Sequence, residues 1–379
     1  MTSALEKQAA GLFTVGFHGH AVTSDLAGLL ARGVGGVIWF KRNVGTAAQV
    51  LELNRQIKQV AARPLLLAVD QEGGSVARLR DGFTPIVPMR AVGEAGSAAL
   101  ARELGRAMGH ELRAVGFDMN YAPVLDIDTN PENPVIGARS FGRTPELVTE
   151  LGLALGAGLQ EAGVAACGKH FPGHGDTSQD SHLELPKLAH PLERLERVEL
   201  APFEAAARAG FASFMTAHVL FEAVDAKYPA TMSRAVLTGI LRKRLGYDGL
   251  VVSDDIEMKA IADNYGVEEA VLLGLDAGVD HFLCCHTAEL AHCAIDAIVR
   301  AVEAGQLSRA VLDSATRRFD AVRARFARPV GSSAELAVLR CPEHLALVER
   351  ISSAAGSSTA PPARDPTESM ERLRPGPTD

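Results

Sequence analysis

The chain has 379 residues, 47% of them apolar, and a formal net charge of −8. That supports a sizeable α/β core, and the acidic balance gives no basic face for nucleic acid and no adhesion to an anionic membrane. The five cysteines (Cys167, Cys284, Cys285, Cys293 and Cys341) form no CxxC pair, which speaks against a disulfide framework and for reduced thiols in the cytoplasm.

The first residues, Met1-Thr2-Ser3-Ala4-Leu5-Glu6-Lys7, show neither the basic nor the apolar region of a signal peptide. No apolar run of about eighteen residues follows, so no spanning helix is expected. Short apolar runs predict strands at 11–17, 35–40, 64–70, 117–126, 164–170, 211–219, 249–254 and 280–285. Between them, Thr46–Ala61, Ala98–Val115, Pro145–Ala162, Leu195–Ala209, Ser233–Leu245 and Val267–Ala277 carry apolar residues at helical spacing. Gly33, Gly116, Gly163, Gly210 and Gly278 stand where a helix stops before the next strand, and Ser233 is placed to cap one. Eight strands with intervening helices predict a single (β/α)8 barrel, with an open doubly wound sheet as the rival. No GxGxxG follows an early strand, which disfavours that rival for dinucleotide binding. The barrel domain is assigned to 1–351, with a last helix at Leu336–Ile351. Ser352–Asp379 is rich in Ser, Pro and charge and is expected to be a disordered tail.

The polar residues fall at strand ends. Asp70-Gln71-Glu72, Asp126, Lys169-His170, His218 and Asp254-Asp255 each close an apolar run, so five strands deliver ionisable groups to one barrel mouth. The densest group is Lys169-His170-Phe171-Pro172-Gly173-His174-Gly175-Asp176, with Asp180-Ser181-His182 behind it. A cluster of imidazoles, carboxylates and an ammonium is costly to bury, so chemistry is expected there. Carboxylates and bases without a phosphate loop point to hydrolysis of a polar substrate such as a glycoside. Asp254 either meets substrate or caps the helix that follows.

These segments, with Asp70-Gln71-Glu72-Gly73-Gly74 and Ser253-Asp254-Asp255-Ile256-Glu257-Met258, resemble family 3 glycoside hydrolases. More narrowly they are similar to bacterial β-N-acetylhexosaminidases that recycle peptidoglycan. The likeness runs from about residue 10 to 330. It implies a retaining mechanism with no cofactor and no metal, in which Asp254 is the nucleophile and His182, paired with Asp180, is the general acid and base. It also implies sugar contacts from Asp70, Arg78, Arg139, Lys169 and His170. The implied substrate is a small carbohydrate, N-acetylglucosaminyl-anhydromuramoyl peptide.

The physics of the Asp–His pair is coherent. A free imidazole titrates near pH ~6.5, so it both gives and takes a proton at neutrality. An i, i+2 spacing projects both side chains to one side of an extended segment. Other readings stand beside this one. His170, His174, Asp176 and His182, or His18 and His20, could hold a metal as in amidohydrolase barrels. A histidine acid would admit phosphate and allow phosphorolysis, and the same barrel could bind sugar without turnover. Arg78 could pair with Asp81, and Asp126 and His218 could merely shape the mouth. Trp39 could stack on a sugar or pack in the core, and Cys284 and Cys285 are expected to be buried packing.

Overall fold

The computed structural model describes residues 3–181 and 184–356. Eight parallel strands close into a barrel: β1 (Phe13–Val15), β2 (Gly36–Trp39), β3 (Leu66–Val69), β4 (Met119–Asn120), β5 (Ala165–Phe171), β6 (Ser213–Thr216), β7 (Leu250–Asp255) and β8 (His281–Cys284). Each strand pairs with its neighbours in sequence, and β8 closes on β1 through Phe13 opposite Phe282. The open-sheet alternative is thereby excluded. All five helix-stopping glycines have positive φ, from 75° at Gly210 to 125° at Gly278, a region costly for a side chain with a Cβ.

The differences from expectation have local causes. The fourth run pairs only over Met119–Asn120, because Pro123 has no N–H for the ladder. Hydrogen bonds to β5 continue beyond that pair, from Cys167 N to Ala122 O and from Lys169 N to Pro123 O, up to a bridge between Val124 and Lys169. Leu195–Ala209 is two helices, Leu192–Arg197 and Ala201–Arg208, with Pro202 in the first turn of the second, where its missing N–H costs nothing. The helix at Ala235–Arg244 has wide π-type turns, and Ser233 Oγ accepts from Val236 N at 3.2 Å. The last helix spans Pro342–Ala355, after a 3₁₀ turn at Ser333–Val338. It therefore takes in the first residues of the expected tail, and the rest of that tail, from residue 357, lies outside the described residues.

Among the helices not foreseen from the sequence are Ser24–Arg32, Ala288–Glu303 and Arg309–Phe326. The third seals the barrel floor. Its Phe319, Val322 and Phe326 join the interior cluster of Leu66, Ala165, Ala212 and Leu250, and the Phe319 ring stacks on His281 at 4.4 Å. Trp39 is fully buried, edge-on to Phe17 and Phe117, so it packs in the core. Cys284 and Cys285 are buried too. Among the described residues, no helix is long and apolar enough to cross a membrane.

Strand alternation places the mouth. Leu66 and Ala68, Ala165 and Cys167, and Leu250 and Val252 all point into the barrel. The next residue of each series is Asp70, Lys169 and Asp254. A period of two therefore carries these three to the top of the barrel axis.

Candidate active site

The floor of the mouth is an ion cluster. Past β3, a hairpin (Gln71–Gly73 with Val76–Ala77) turns through Gly73 and Gly74, both at positive φ. Gln71 locks it, donating to Leu79 O at 2.8 Å and accepting from Leu79 N at 3.0 Å. Glu72, two residues beyond Asp70, is thereby buried over the barrel. Arg139, from the short turn Gly137–Arg139 after β4, meets it in two parallel bonds of 2.8 Å through Nε and Nη2. Lys169 Nζ lies 2.7 Å from Glu72 Oε1 and 2.7 Å from Asp70 Oδ1. Burial opposes the charge on Glu72, but Arg139 and Lys169 outweigh it and hold the carboxyl far below the ordinary range. Burial likewise opposes the Lys169 ammonium, while Asp70 and Glu72 raise it, so it stays charged. Two carboxylates and two cations leave the floor rigid and neutral overall.

Beside it stands a second carboxylate-centred unit. Asp126 is fully buried behind β5. It accepts from His170 N at 3.1 Å, from His174 N at 2.7 Å and from the His170 ring at Nδ1, 2.6 Å away. Burial opposes its ionisation, yet the two histidines lower its pKa. With the Nδ1 proton committed to Asp126, the His170 ring leaves Nε2 for a bond to a hydroxyl.

Asp254 is the last residue but one of β7, where the register with β8 shifts between Val252 and Asp255, and a matching shift at Gly168/Phe171 brackets Lys169-His170. Irregular pairing at a barrel rim re-aims side chains. Asp254 is half-buried, and its Oδ1 accepts from Asp255 N at 2.8 Å. It caps no helix, since the next one begins at Lys259 behind Met258. Asp255 faces His286 at 3.2 Å, and Glu257 accepts from His286 N at 2.6 Å, which fixes the β8 turn. His218 is buried and is not among the residues that line the cleft. Its ring bonds Thr231 Oγ1 and Asp255 O, bracing the end of β7.

Asp70, Arg78, Arg139, Lys169, His170 and Asp254 line one cleft, together with Glu72, His174, Ser181, Phe40 and His286. Arg78 thus turns inward rather than to Asp81, its guanidinium 6.0 Å from the centre of the Phe40 ring. Asp180 lies just outside this lining, its carbonyl accepting from Glu184 N at 3.0 Å. His182 lies outside the described residues. His18 and His20 are exposed and bond the carbonyls of His286 and Asn43. Among the described residues, no group of three or more His, Cys, Asp or Glu side chains is arranged to hold a metal ion.

Glu72 was expected at the mouth but not among the catalytic or sugar-binding residues, although its i+2 spacing from Asp70 is the signal for it. Asp126, expected at most to shape the mouth, binds both His170 and His174.

A closed parallel barrel whose strand ends converge in a cleft of carboxylates, cations and imidazoles is the construction of a barrel glycosidase. The N-terminal domain model of glycosyl hydrolase family 3 matches residues 5–322, and the chain belongs to this family and is a glycoside hydrolase. It is 47% identical over 264 residues to the β-hexosaminidase of Thiobacillus denitrificans, an alignment covering 68% of this chain and 73% of that protein. Against the β-hexosaminidase of Methylococcus capsulatus it is 43% identical over 298 residues, 77% and 85% of the two chains. Among solved structures, a family 3 β-N-acetylglucosaminidase from Paenibacillus sp. FPU-7 superposes with a TM-score of 0.89 at 46% identity, over 93% of this chain and 69% of that one. NagZ from Neisseria gonorrhoeae gives a TM-score of 0.78 at 33% identity, over 91% and 98%.

Proposed function

We propose that this chain is a retaining, exo-acting β-N-acetylhexosaminidase. It removes terminal β-linked N-acetylglucosamine from peptidoglycan fragments in the cytoplasm. The observation that carries the reading is the position of Asp254, at the end of β7 and in the same cleft as Asp70, Lys169, Arg139 and His170. The names of the relatives, hexosaminidases and an N-acetylglucosaminidase, support the choice of sugar.

In this reading the sugar lies on the charged floor. Asp70 accepts from a ring hydroxyl, Lys169 donates to one, and the guanidinium of Arg78 or Arg139 suits a carbonyl or hydroxyl pair. Asp254 attacks the anomeric carbon, the bond to the leaving oxygen breaks, and that oxygen takes a proton from His182. Water then attacks the glycosyl-enzyme, giving its proton to the His182 imidazole and freeing Asp254. Asp180 fixes the tautomer of His182 and favours its charged form. Two inversions return the β-configuration.

The test sets a chromogenic β-N-acetylglucosaminide against the β-glucoside, with Asp254→Asn alongside. The N-acetyl substrate is expected to be preferred, and the variant to bind sugar while losing turnover on the order of 10³-fold or more. Proton NMR of the first-formed sugar is expected to show the β-anomer. An α-anomer, or an Asp254→Asn protein with most of its activity, overturns the assignment. Sugar 1-phosphate formed in added phosphate would replace hydrolysis with phosphorolysis.

A further inference from the structure

His174 and Ser181 line the cleft and are each 2% exposed, yet neither has a part in the steps above. The loop after β5 starts on a rigid base. Gly175 lies so close to the preceding loop that a Cβ there would fall 1.7 Å from Ile127 O. Asn133 Nδ2 donates to His174 O at 2.9 Å, and Asn130 Nδ2 to Thr177 O at 3.2 Å. Asp176 accepts from Thr129 Oγ1 at 2.7 Å and pairs with His190.

The hydrogen bonds of His174 fix its ring. Its N–H goes to Asp126 Oδ1. Thr177 Oγ1 gives its own proton to His174 O at 3.1 Å, so at 2.8 Å it accepts from His174 Nδ1–H. Burial and the charge of His170 push the His174 imidazole down to about 4, so it is neutral. Its Nε2 is therefore an acceptor, and the Ser181 hydroxyl, 3.0 Å away, donates to it. On its other side, Ser181 O accepts from Ala260 N at 3.3 Å, in the segment that follows Asp254 and β7. Ser181 is thus tied to the base of its own loop and to the β7 loop. The next residue in the chain is His182.

We infer that His174 and Ser181 are positioning residues for the general acid: the Ser181 O–H to His174 Nε2 bond, with the Ser181 carbonyl held by Ala260, holds Ser181, the residue that precedes His182 in the chain. The inference rests on the acid/base role proposed above for Asp180 and His182.

The test is a series of aryl β-N-acetylglucosaminides of graded leaving ability. Help from an acid matters most where the departing oxygen is basic. With a methoxyphenyl leaving group, Ser181→Ala is expected to lower kcat/KM about tenfold, the worth of one hydrogen bond. With dinitrophenyl, which leaves without a proton, the loss is expected to be several-fold smaller. Ser181→Thr keeps the hydroxyl and is expected to restore the series. A loss equal across the series, or no loss at all, overturns the inference. His182→Ala separates the two claims. If that variant shows no dependence on leaving group, the acid assignment itself falls. If it shows a steep one and Ser181→Ala does not, only the positioning role falls.

Discussion

Glu72→Ala tests whether the charged floor is held together as the geometry says. The change leaves Arg139, 6% exposed, without the acceptor of its two parallel bonds, while Lys169 keeps only Asp70. Removing one partner from a buried ion pair costs about 3–5 kcal/mol, because the remaining charge is stranded. For a chain of 379 residues the entropy of unfolding is about 0.8 kcal/mol per kelvin, so Tm is expected to fall by about 4–6 °C. Glu72→Gln keeps the shape but turns an amide N–H₂ toward a cation, and a loss of similar size is expected. In both variants the cations swing toward Asp70, so KM for the sugar substrate rises. The pH dependence has a definite sign. Arg139 and Lys169 hold the folded carboxyl below its ordinary 4.5, so the stability from Glu72 is present above that value and lost as pH falls through it toward the folded one. Scanning calorimetry of parent and variants from neutral to acid pH, with chromogenic kinetics at neutrality, measures both effects. A Glu72→Ala protein with parental Tm and KM would show that the ion cluster organises nothing.

Two further predictions concern groups away from the substrate. Gly175→Ala drives a methyl into Ile127 O and is expected to cost about 1–3 kcal/mol by overpacking, read by urea denaturation, with kcat/KM falling because the base of the β5 loop shifts. Burial in the barrel floor, helped by Arg63, holds the His281 imidazole down at about 3 against an ordinary 6.5. The unfolded chain therefore takes up the extra proton, and the stability due to neutral His281 is complete above pH 6.5 and lost as pH falls toward 3, at up to about 1.4 kcal/mol per pH unit. His281→Gln is expected to flatten the Tm profile across that window, and profiles that stay parallel would refute the argument.

The parts of this molecule that were legible in the sequence are those set by local rules. Asp70, Lys169 and Asp254 could be placed at one mouth because side chains alternate along a strand and three apolar runs end in charge. The glycines before β2, β4, β5, β6 and β8 could be read as stops because only a positive φ turns a helix end so sharply. Contacts made across the chain left no such trace. Arg139 and Glu72 meet over 67 residues, and nothing in either segment names the other. Glu111 accepts from Thr84 N and from Arg340 N and pairs with His344, so the last helix is fastened to the loop that follows β3 by a clasp no periodicity reveals. The helices at Ala288–Glu303 and Arg309–Phe326 were missed for a different reason. Both follow β8, after the barrel pattern has already closed, and only Ser308, which accepts from Ala310 N, marked the second start.

The cleft follows one construction throughout. Several groups in the cleft are held by a carboxylate whose lone pairs are spent on the protein. Glu72 holds Lys169 and Arg139, Asp126 holds His170 and the His174 backbone, and Glu257 holds the His286 turn beside Asp255. Such carboxylates are expensive to bury, and the cations and backbone N–H groups around them offset the cost only in this arrangement. A cleft built so has little room to reorganise as charge develops at the anomeric carbon, which is the condition under which fixed dipoles and charges lower a barrier most. The two imidazoles of the buried base follow the same principle: the His170 ring is oriented by Asp126, and the His174 ring, kept neutral by burial, takes the Ser181 hydroxyl.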